Sequence, residues 1–150
     1  WKEFSRMREG EGIFANKVRV NIIGRRLMFP KKMQKAMLDA MKKTRKNKKL
    51  IVNFALAYGG RQEITDAVRK IIKLNLKSID DDTIGNYLYL KNEPDVVIRP
   101  GGEVRTSNFL TWQSVYSELV FLDKLWPEFT KEDLIRCIRE FNQRERRFGT

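Results

Sequence analysis

The sequence predicts an α/β fold with a mainly parallel central sheet flanked by helices. Short apolar, strand-like tracts alternate along the chain with segments whose apolar residues recur at helical spacing. Residues 50–57 are almost continuously apolar, as expected for a strand buried on both faces of a parallel sheet. That tract ends in Tyr58-Gly59-Gly60-Arg61, and the helical pattern after it completes half of a βαβ unit. In such sheets, ligands bind beyond the carboxyl ends of the strands.

The segment before residue 50 contributes a strand and a helix to this pattern. Val18, Val20 and Ile22 alternate with polar residues up to Gly24, which is typical of a strand. A helix is predicted after Pro30. Its inner face is Met33, Ala36, Met37, Ala40, Met41 and Thr44. We interpret the methionines as core packing, because thioether side chains fill irregular gaps.

The segment after residue 60 contains three further helices and two strands. A helix follows Gly60, and Asp80 to Asp82 cap a short helix that runs to Tyr87-Leu88. Strands are predicted at residues 95–98 and 118–122. Thr130 and Asp133 resemble a capping box that opens the last helix. The predicted inner faces are Ile64, Ala67, Val68 and Ile71 for the first of these helices and Leu134, Cys137, Ile138 and Phe141 for the last.

The composition excludes several chemistries. The 150 residues include no histidine and one cysteine, so histidine-based nucleophilic catalysis and an internal disulfide are excluded. Cys137 falls on an inner helix face and is interpreted as an inert buried thiol. No apolar tract is long enough to span a membrane, and the first residues lack the apolar core of a signal peptide. We expect a cytoplasmic protein.

The net charge of +12 predicts a surface that attracts polyanions. Nucleic acid, anionic lipid headgroups and diphosphates all qualify. A basic run at residues 42–49 falls at the end of the methionine-striped helix. A solvated helix end is favoured over a nucleic-acid patch, because no aromatic residue interleaves the run to stack on bases. A basic nucleic-acid-binding module is nevertheless kept as an alternative.

The strongest candidate site follows the predicted strand at residues 95–98. Arg99 and Arg105 supply two guanidinium groups, Gly101-Gly102 allow close backbone approach, and Ser107 adds a hydroxyl. This is the chemistry that a diphosphate requires. The alternative is a solvated turn whose arginines pair with Glu103 and Asp95, and the residues alone do not choose between the two.

Two weaker candidates are Tyr58-Gly59-Gly60-Arg61 and Glu118. The glycine turn opens a helix, whose amino terminus favours anions, although tight-turn packing explains the glycines better. Glu118 starts a strand, and a carboxylate facing the phosphate loop could hold Mg²⁺. An isolated acid at a strand end is more often simply solvated.

Four stretches resemble the cis-prenyltransferase family, which includes undecaprenyl diphosphate synthase. The longest runs from Asp95-Val96-Val97-Ile98-Arg99-Pro100-Gly101-Gly102 through Ser107-Asn108-Phe109 and Glu118-Leu119 to Trp126-Pro127-Glu128-Phe129. Asn53 to Ile64 is similar to the family's preceding block, and Val18 to Gly24 is similar to the strand before that block. Arg144 to Gly149 is similar to the family's usual tail. The resemblance implies a single cis-prenyltransferase-like domain over residues 1–150.

The resemblance also implies an activity and site residues. The family joins isopentenyl diphosphate to an allylic diphosphate with Mg²⁺, giving Z-polyprenyl diphosphates, as a homodimer. Carried over residue by residue, Arg99, Arg105 and Ser107 bind the diphosphate of isopentenyl diphosphate, together with Gly101 and Gly102. Glu118 would help to bind Mg²⁺. Arg147 and Gly149 would reach the site of the partner subunit, and a long lipid product suggests contact with the periphery of a membrane.

The family's Asp-Gly-Asn-Gly-Arg motif, which carries its catalytic aspartate, does not occur in this sequence. We therefore expect the domain to be incomplete at its amino-terminal side, without the first strands of the sheet. The alternative is a non-catalytic subunit of a heteromeric cis-prenyltransferase.

Overall fold

The computed structural model describes residues 17–144. These residues form two compact units that meet along the sequence between Tyr58 and Gly59. Each unit is described separately, and the expectation of a single domain over residues 1–150 stays a prediction. In the described part of the chain, no helix is long and apolar enough to cross a membrane.

The first unit is built on two parallel strands joined by a helix. Its elements are β1 (Val18–Ile23), a 3-10 turn (Arg26–Met28), α1 (Lys31–Thr44) and β2 (Leu50–Ala55). Strand β1 pairs with β2 in parallel, with Val18 opposite Leu50 and Ile23 opposite Ala55. The predicted alternating strand and the helix after Pro30 are confirmed.

The core of the first unit lies between α1 and β1. Val20, Ile22 and Met37 are buried there. Partly buried side chains pack around them, namely Phe29, Met33, Met41, Phe54 and Leu56. The methionine stripe is thus core packing, as predicted. Thr44, fully buried, accepts a hydrogen bond from the backbone N–H of Val20 at 3.0 Å and thereby ties the end of α1 to β1.

The expectation that β2 is buried on both faces is wrong. Leu50 is 56% exposed and Ile51 is also exposed. Within the described residues β2 has one strand neighbour, β1, and the buried side chains of this pair are those of β1. An apolar run predicts a strand, but which of its residues are covered depends on neighbours that the run does not specify.

The second unit contains a second parallel pair of strands. Its elements are α2 (Gly60–Lys73), α3 (Asp81–Tyr87), β3 (Val96–Pro100), β4 (Glu118–Leu122), a 3-10 turn (Trp126–Glu128) and α4 (Lys131–Gln143). Strand β3 pairs with β4 in parallel, with Val96 opposite Glu118 and Pro100 opposite Leu122. Asp80 caps α3, and Thr130 with Asp133 forms the predicted capping box of α4. The α/β class with parallel strand pairing is confirmed.

The core of the second unit lies between β4 and α4. Val120, Leu122 and Cys137 are buried together, and Val96, Ile98 and Phe129 pack against them. The inner face predicted for α4 includes two residues that are exposed in the structure. Ile138 is 44% exposed and Leu134 is exposed as well, because α4 meets the strands along the line of Asp133 and Cys137.

Candidate functional site

The loop after β3 begins with a tight glycine turn. Gly101 and Gly102 have φ angles of +114° and +72°, which L side chains rarely adopt. Their N–H groups donate to the carbonyl oxygen of Leu122 at 3.1 and 2.9 Å, so the turn folds back onto the end of β4. A Cβ on Gly102 would lie 2.9 Å from Oδ1 of Asp123. The glycines shape this turn, and their predicted contact with a diphosphate stays a prediction.

Arg99, Arg105 and Ser107 are brought together by this loop. Nη1 of Arg99 donates to Oγ of Ser107 at 2.8 Å and to the backbone carbonyl of Arg105. The guanidinium of Arg105 pairs with Glu103 at 2.7 Å, as in the alternative reading of the loop. The Arg105 side chain is 62% exposed, and an exposed ion pair is worth only about 0–1 kcal/mol. An incoming dianion can therefore displace Glu103.

A cavity of about 350 Å³ lies beside these side chains. Arg99, Arg105 and Ser107 form its polar edge. The rest of the lining is mostly apolar and consists of Val97, Ile98, Pro100, Thr106, Phe109, Leu119, Phe121 and Trp126. This volume falls in the range of small-molecule sites, which typically begins at about 300 Å³. The site therefore suits a ligand with an anionic head and a hydrocarbon body.

Asn108 joins this loop to the start of α2, and the sequence analysis missed its role. Its carbonyl oxygen accepts from the N–H of Gly60 at 2.7 Å, and its Oδ1 accepts from the N–H of Arg61 at 2.9 Å. Its Nδ2 donates to Oε1 of Gln62 at 3.1 Å. Two of the first N–H groups of α2 are thus occupied by the protein itself. Packing at the glycine turn is confirmed, and these two N–H groups do not face an anion.

The backbone at Asn108 has an uncommon conformation. Ser107, Asn108 and Leu110 have φ angles of +49°, +64° and +46°. Three left-handed non-glycine residues within four positions are costly, and such backbone persists only where the surroundings enforce it. The one sequence signal was asparagine itself, which tolerates this conformation better than most residues.

A buried carboxylate supports the next part of the loop. Glu63, on α2, accepts from the backbone N–H of Tyr89 at 2.6 Å and of Leu90 at 3.2 Å. Nε2 of Gln113 donates to Glu63 at 3.1 Å and to the carbonyl of Leu90 at 2.9 Å. Glu63 and Gln113 are each about 1% exposed. The segment that follows Asn108 is therefore fixed to α2 at a second point.

Glu118 occupies the amino end of β4. It lies opposite Val96, whereas Arg99 lies opposite Phe121, nearer the carboxyl edge. Its Oε2 accepts from Nη1 of Arg144 at 2.7 Å, and Arg144 also pairs with Glu140. Glu118 is not among the residues that line the cavity. Arg144, directly after α4, thus holds the Glu118 carboxylate, and the predicted place of Glu118 facing the phosphate loop stays a prediction.

The described acidic side chains fit Mg²⁺ in one way only, with a single carboxylate beside phosphate oxygens of the substrate and water. Among residues 17–144, no three acidic or thiol side chains come together as a metal site. Mg²⁺ usually retains several waters and takes one or two carboxylates plus substrate phosphate oxygens. Glu118 can supply one ligand of that kind if Arg144 releases it, so its metal role stays a prediction.

A family model described as "Putative undecaprenyl diphosphate synthase" matches residues 2–149. The chain belongs to this family. It is 53% identical over 140 residues to a tritrans,polycis-undecaprenyl-diphosphate synthase (geranylgeranyl-diphosphate specific) of Pyrococcus horikoshii, covering 88% of this chain and 53% of that protein. An isoprenyl transferase of Streptococcus pyogenes serotype M6 is 47% identical over 146 residues, covering 89% and 59%.

Solved structures agree with this undecaprenyl diphosphate synthase-like fold. A probable undecaprenyl diphosphate synthase from Campylobacter jejuni superposes with a TM-score of 0.85 at 35% identity, over 91% of this chain and 65% of that chain. Lavandulyl diphosphate synthase from Lavandula x intermedia, in complex with dimethylallyl diphosphate, gives 0.86 at 32% identity, over 92% and 63%. This chain spans 53–59% of the length of the curated relatives named above.

The predictions made for the two basic segments of this family member have different outcomes. Arg147 and Gly149 lie outside the described residues, so their predicted role at a partner's site stays a prediction. In the run at residues 42–49 the lysines and Arg45 are exposed, at and beyond the end of α1. The predicted solvated helix end is confirmed, while nucleic-acid binding there stays untested.

Proposed function

We propose that this chain supplies the isopentenyl diphosphate site of a Mg²⁺-dependent cis-prenyltransferase. The complete activity would condense isopentenyl diphosphate with an allylic diphosphate to give a Z-polyprenyl diphosphate. Membership of the undecaprenyl diphosphate synthase family supports the reaction class. The name of the Pyrococcus horikoshii relative, a tritrans,polycis-undecaprenyl-diphosphate synthase, supports a polyprenyl product.

One observation carries the proposal. The cavity joins the guanidinium of Arg99 and the hydroxyl of Ser107 to an apolar wall that includes Phe109, Phe121 and Trp126. A diphosphate monoester of a short branched alkene has the matching distribution of charge and hydrocarbon. Charge-assisted hydrogen bonds orient the head, and burial of the alkene contributes roughly 25 cal/mol per Å² of apolar surface.

In this proposal the chain acts by positioning and charge stabilisation. Arg99, Ser107 and Arg105 hold the diphosphate, so that the alkene lies along the apolar wall and its double bond faces the second substrate. Bound Mg²⁺ would neutralise diphosphate charge, with Glu118 as one protein ligand. The chain has no histidine to take the proton that is lost when the Z double bond forms. An acceptor drawn from these 150 residues is therefore a carboxylate, and a diphosphate oxygen of the substrate is the alternative.

The proposed partners follow from the same assignment. We propose a homodimer in which Arg147 and Gly149 reach the partner's site, and a cytoplasmic location at the periphery of a membrane. A strongly basic chain, with net charge +12, is attracted to anionic membrane surfaces. Analytical ultracentrifugation tests the dimer, and sedimentation with anionic vesicles at two salt concentrations tests the membrane contact.

Calorimetric titration of isopentenyl diphosphate into the purified chain tests the proposal. Binding is the appropriate readout, because the aspartate motif of the family does not occur in these residues. Arg99→Ala should weaken binding about ten- to hundredfold, the typical value of a lost charge-assisted hydrogen bond. Arg69→Ala removes the same charge from an exposed arginine on α2 and should have little effect. Equal affinities of Arg99→Ala and wild type would contradict the proposal.

A further inference from the structure

Asn108 attaches the loop that carries Arg105 and Ser107 to the first residues of α2. Its backbone carbonyl and its side-chain oxygen accept from Gly60 and Arg61, the first two residues of the helix. Its amide nitrogen donates to Gln62 at 3.1 Å. Asn108 is thus both a capping group for α2 and part of the loop after β3.

This attachment lies next to the polar edge of the cavity. Ser107 precedes Asn108 directly, and both have left-handed backbone. In that conformation the Ser107 hydroxyl accepts a hydrogen bond from Nη1 of Arg99 at 2.8 Å. A free peptide would readily leave this left-handed conformation, because the conformation costs about 1 kcal/mol or more per non-glycine residue. The contacts of Asn108 with α2 oppose that relaxation.

We propose that Asn108 is a positioning residue for diphosphate binding: by capping α2 it locks Ser107 and Arg105 beside Arg99. The inference rests on the proposed function, because it assigns Asn108 a task at the same site. Asn108 is absent from the residues that line the cavity, so it acts through its neighbours and not by contact with the ligand.

The experiment compares Asn108→Ala with Thr130→Ala in the full chain. Both changes remove a neutral helix cap, and Thr130 caps α4 with no bond to the loop. Hydrogen exchange at the amides of residues 105–109 is measured without ligand. Affinity for inorganic pyrophosphate and for isopentenyl diphosphate is measured by calorimetry.

We expect Asn108→Ala to speed exchange at residues 105–109 and to weaken both ligands about tenfold. Thr130→Ala should change either affinity less than twofold, even though it also loses stability. Asn108→Ala and Asn108→Gly both retain the backbone carbonyl that accepts from Gly60, but glycine tolerates the left-handed backbone better. Asn108→Gly should therefore weaken binding less than Asn108→Ala does.

Three results would overturn the inference. Unchanged exchange at residues 105–109 in Asn108→Ala would show that the loop does not depend on this attachment. Faster exchange with wild-type affinity would show that Asn108 is only a helix cap. If the wild-type chain binds neither ligand, the proposed function fails together with the inference, and the wild-type titration identifies that case by itself.

Discussion

Arg99 and Ser107, eight positions apart, are joined by a 2.8 Å hydrogen bond from Nη1 to Oγ. The donor lies on β3 and the acceptor on the loop that follows, so the contact connects the loop back to its strand beside the cavity. Arg99 also donates to the carbonyl of Arg105. The two guanidinium groups therefore line one cavity, although Arg105 is paired with Glu103 at its exposed side.

Glu103→Gln should strengthen binding of isopentenyl diphosphate by up to about fivefold. The change removes an exposed ion pair of roughly 0.2–1 kcal/mol and releases Arg105 for the ligand. Calorimetric titration measures the effect. Asp82→Asn, on α3, removes the same charge outside the loop and serves as the control. Weaker binding by Glu103→Gln would mean that the Arg105–Glu103 pair is needed to hold the loop.

Gly60→Ala should destabilise the chain and weaken diphosphate binding. A Cβ at residue 60 would lie 2.2 Å from Oγ1 of Thr111 and 2.9 Å from its backbone nitrogen, so the loop would have to move. Overpacking of this kind typically costs about 1–3 kcal/mol. Urea unfolding and ligand titration measure the two effects.

Gly85→Ala is the matched control for Gly60→Ala. Gly85 lies within α3, and a Cβ there would meet nothing within 4 Å. Alanine should stabilise this helix by roughly 0.5–1 kcal/mol and leave binding unchanged. If Gly60→Ala behaved like Gly85→Ala, the result would contradict the close packing of α2 against the loop.

Local patterns in the sequence were sufficient for the elements and for the polar edge of the cavity. Alternation predicted β1, helical spacing predicted α1, and Thr130 with Asp133 predicted the start of α4, because each signal lies within one element. Arg99 and Ser107 were found in the same way, since one short loop carries them.

Contacts between distant segments were not predictable. Asn108 caps a helix that begins 48 positions earlier, and Arg144 pairs with Glu118 across 26 positions. The exposure of Leu50 and Ile138 likewise depends on which element covers which face. These features arise from tertiary packing, which a periodicity within one segment does not encode.

Acid should destabilise the chain through Asp133. Its carboxylate accepts from Nζ of Lys124 at 2.7 Å and from the backbone and hydroxyl of Thr130, which lower its pKa to about 2. A folded-state pKa below the unfolded value stabilises the fold above about pH 4, and that contribution is lost as the pH falls towards 2. Urea midpoints between pH 5 and pH 2.5 should fall less for Asp133→Asn than for wild type. An equal fall would show that other groups dominate the acid response.

Cys137 should be unreactive in the folded chain. The thiol is fully buried, and desolvation raises its pKa, so little thiolate forms at neutral pH. Alkylation by iodoacetamide, followed by mass spectrometry, should be at least about a hundredfold slower in buffer than in denaturant. Rapid labelling of the folded chain would show that α4 opens readily from β4.

Glu118→Gln should remove most of the Mg²⁺-dependent part of isopentenyl diphosphate binding, if its carboxylate is the metal ligand. Titrations with and without Mg²⁺ separate that part from direct binding by Arg99. Glu140→Gln is the control, because it removes an equal charge and also a partner of Arg144. Identical effects of both variants would place the role of Glu118 in its ion pair and not in metal binding.

Diffraction from crystals soaked in isopentenyl diphosphate tests the central claim most directly. We predict density for the diphosphate within hydrogen-bonding distance of the Arg99 guanidinium and the Ser107 hydroxyl, with the alkene against Phe121. A diphosphate bound elsewhere at full occupancy, with the Arg99 cavity empty, would contradict the account.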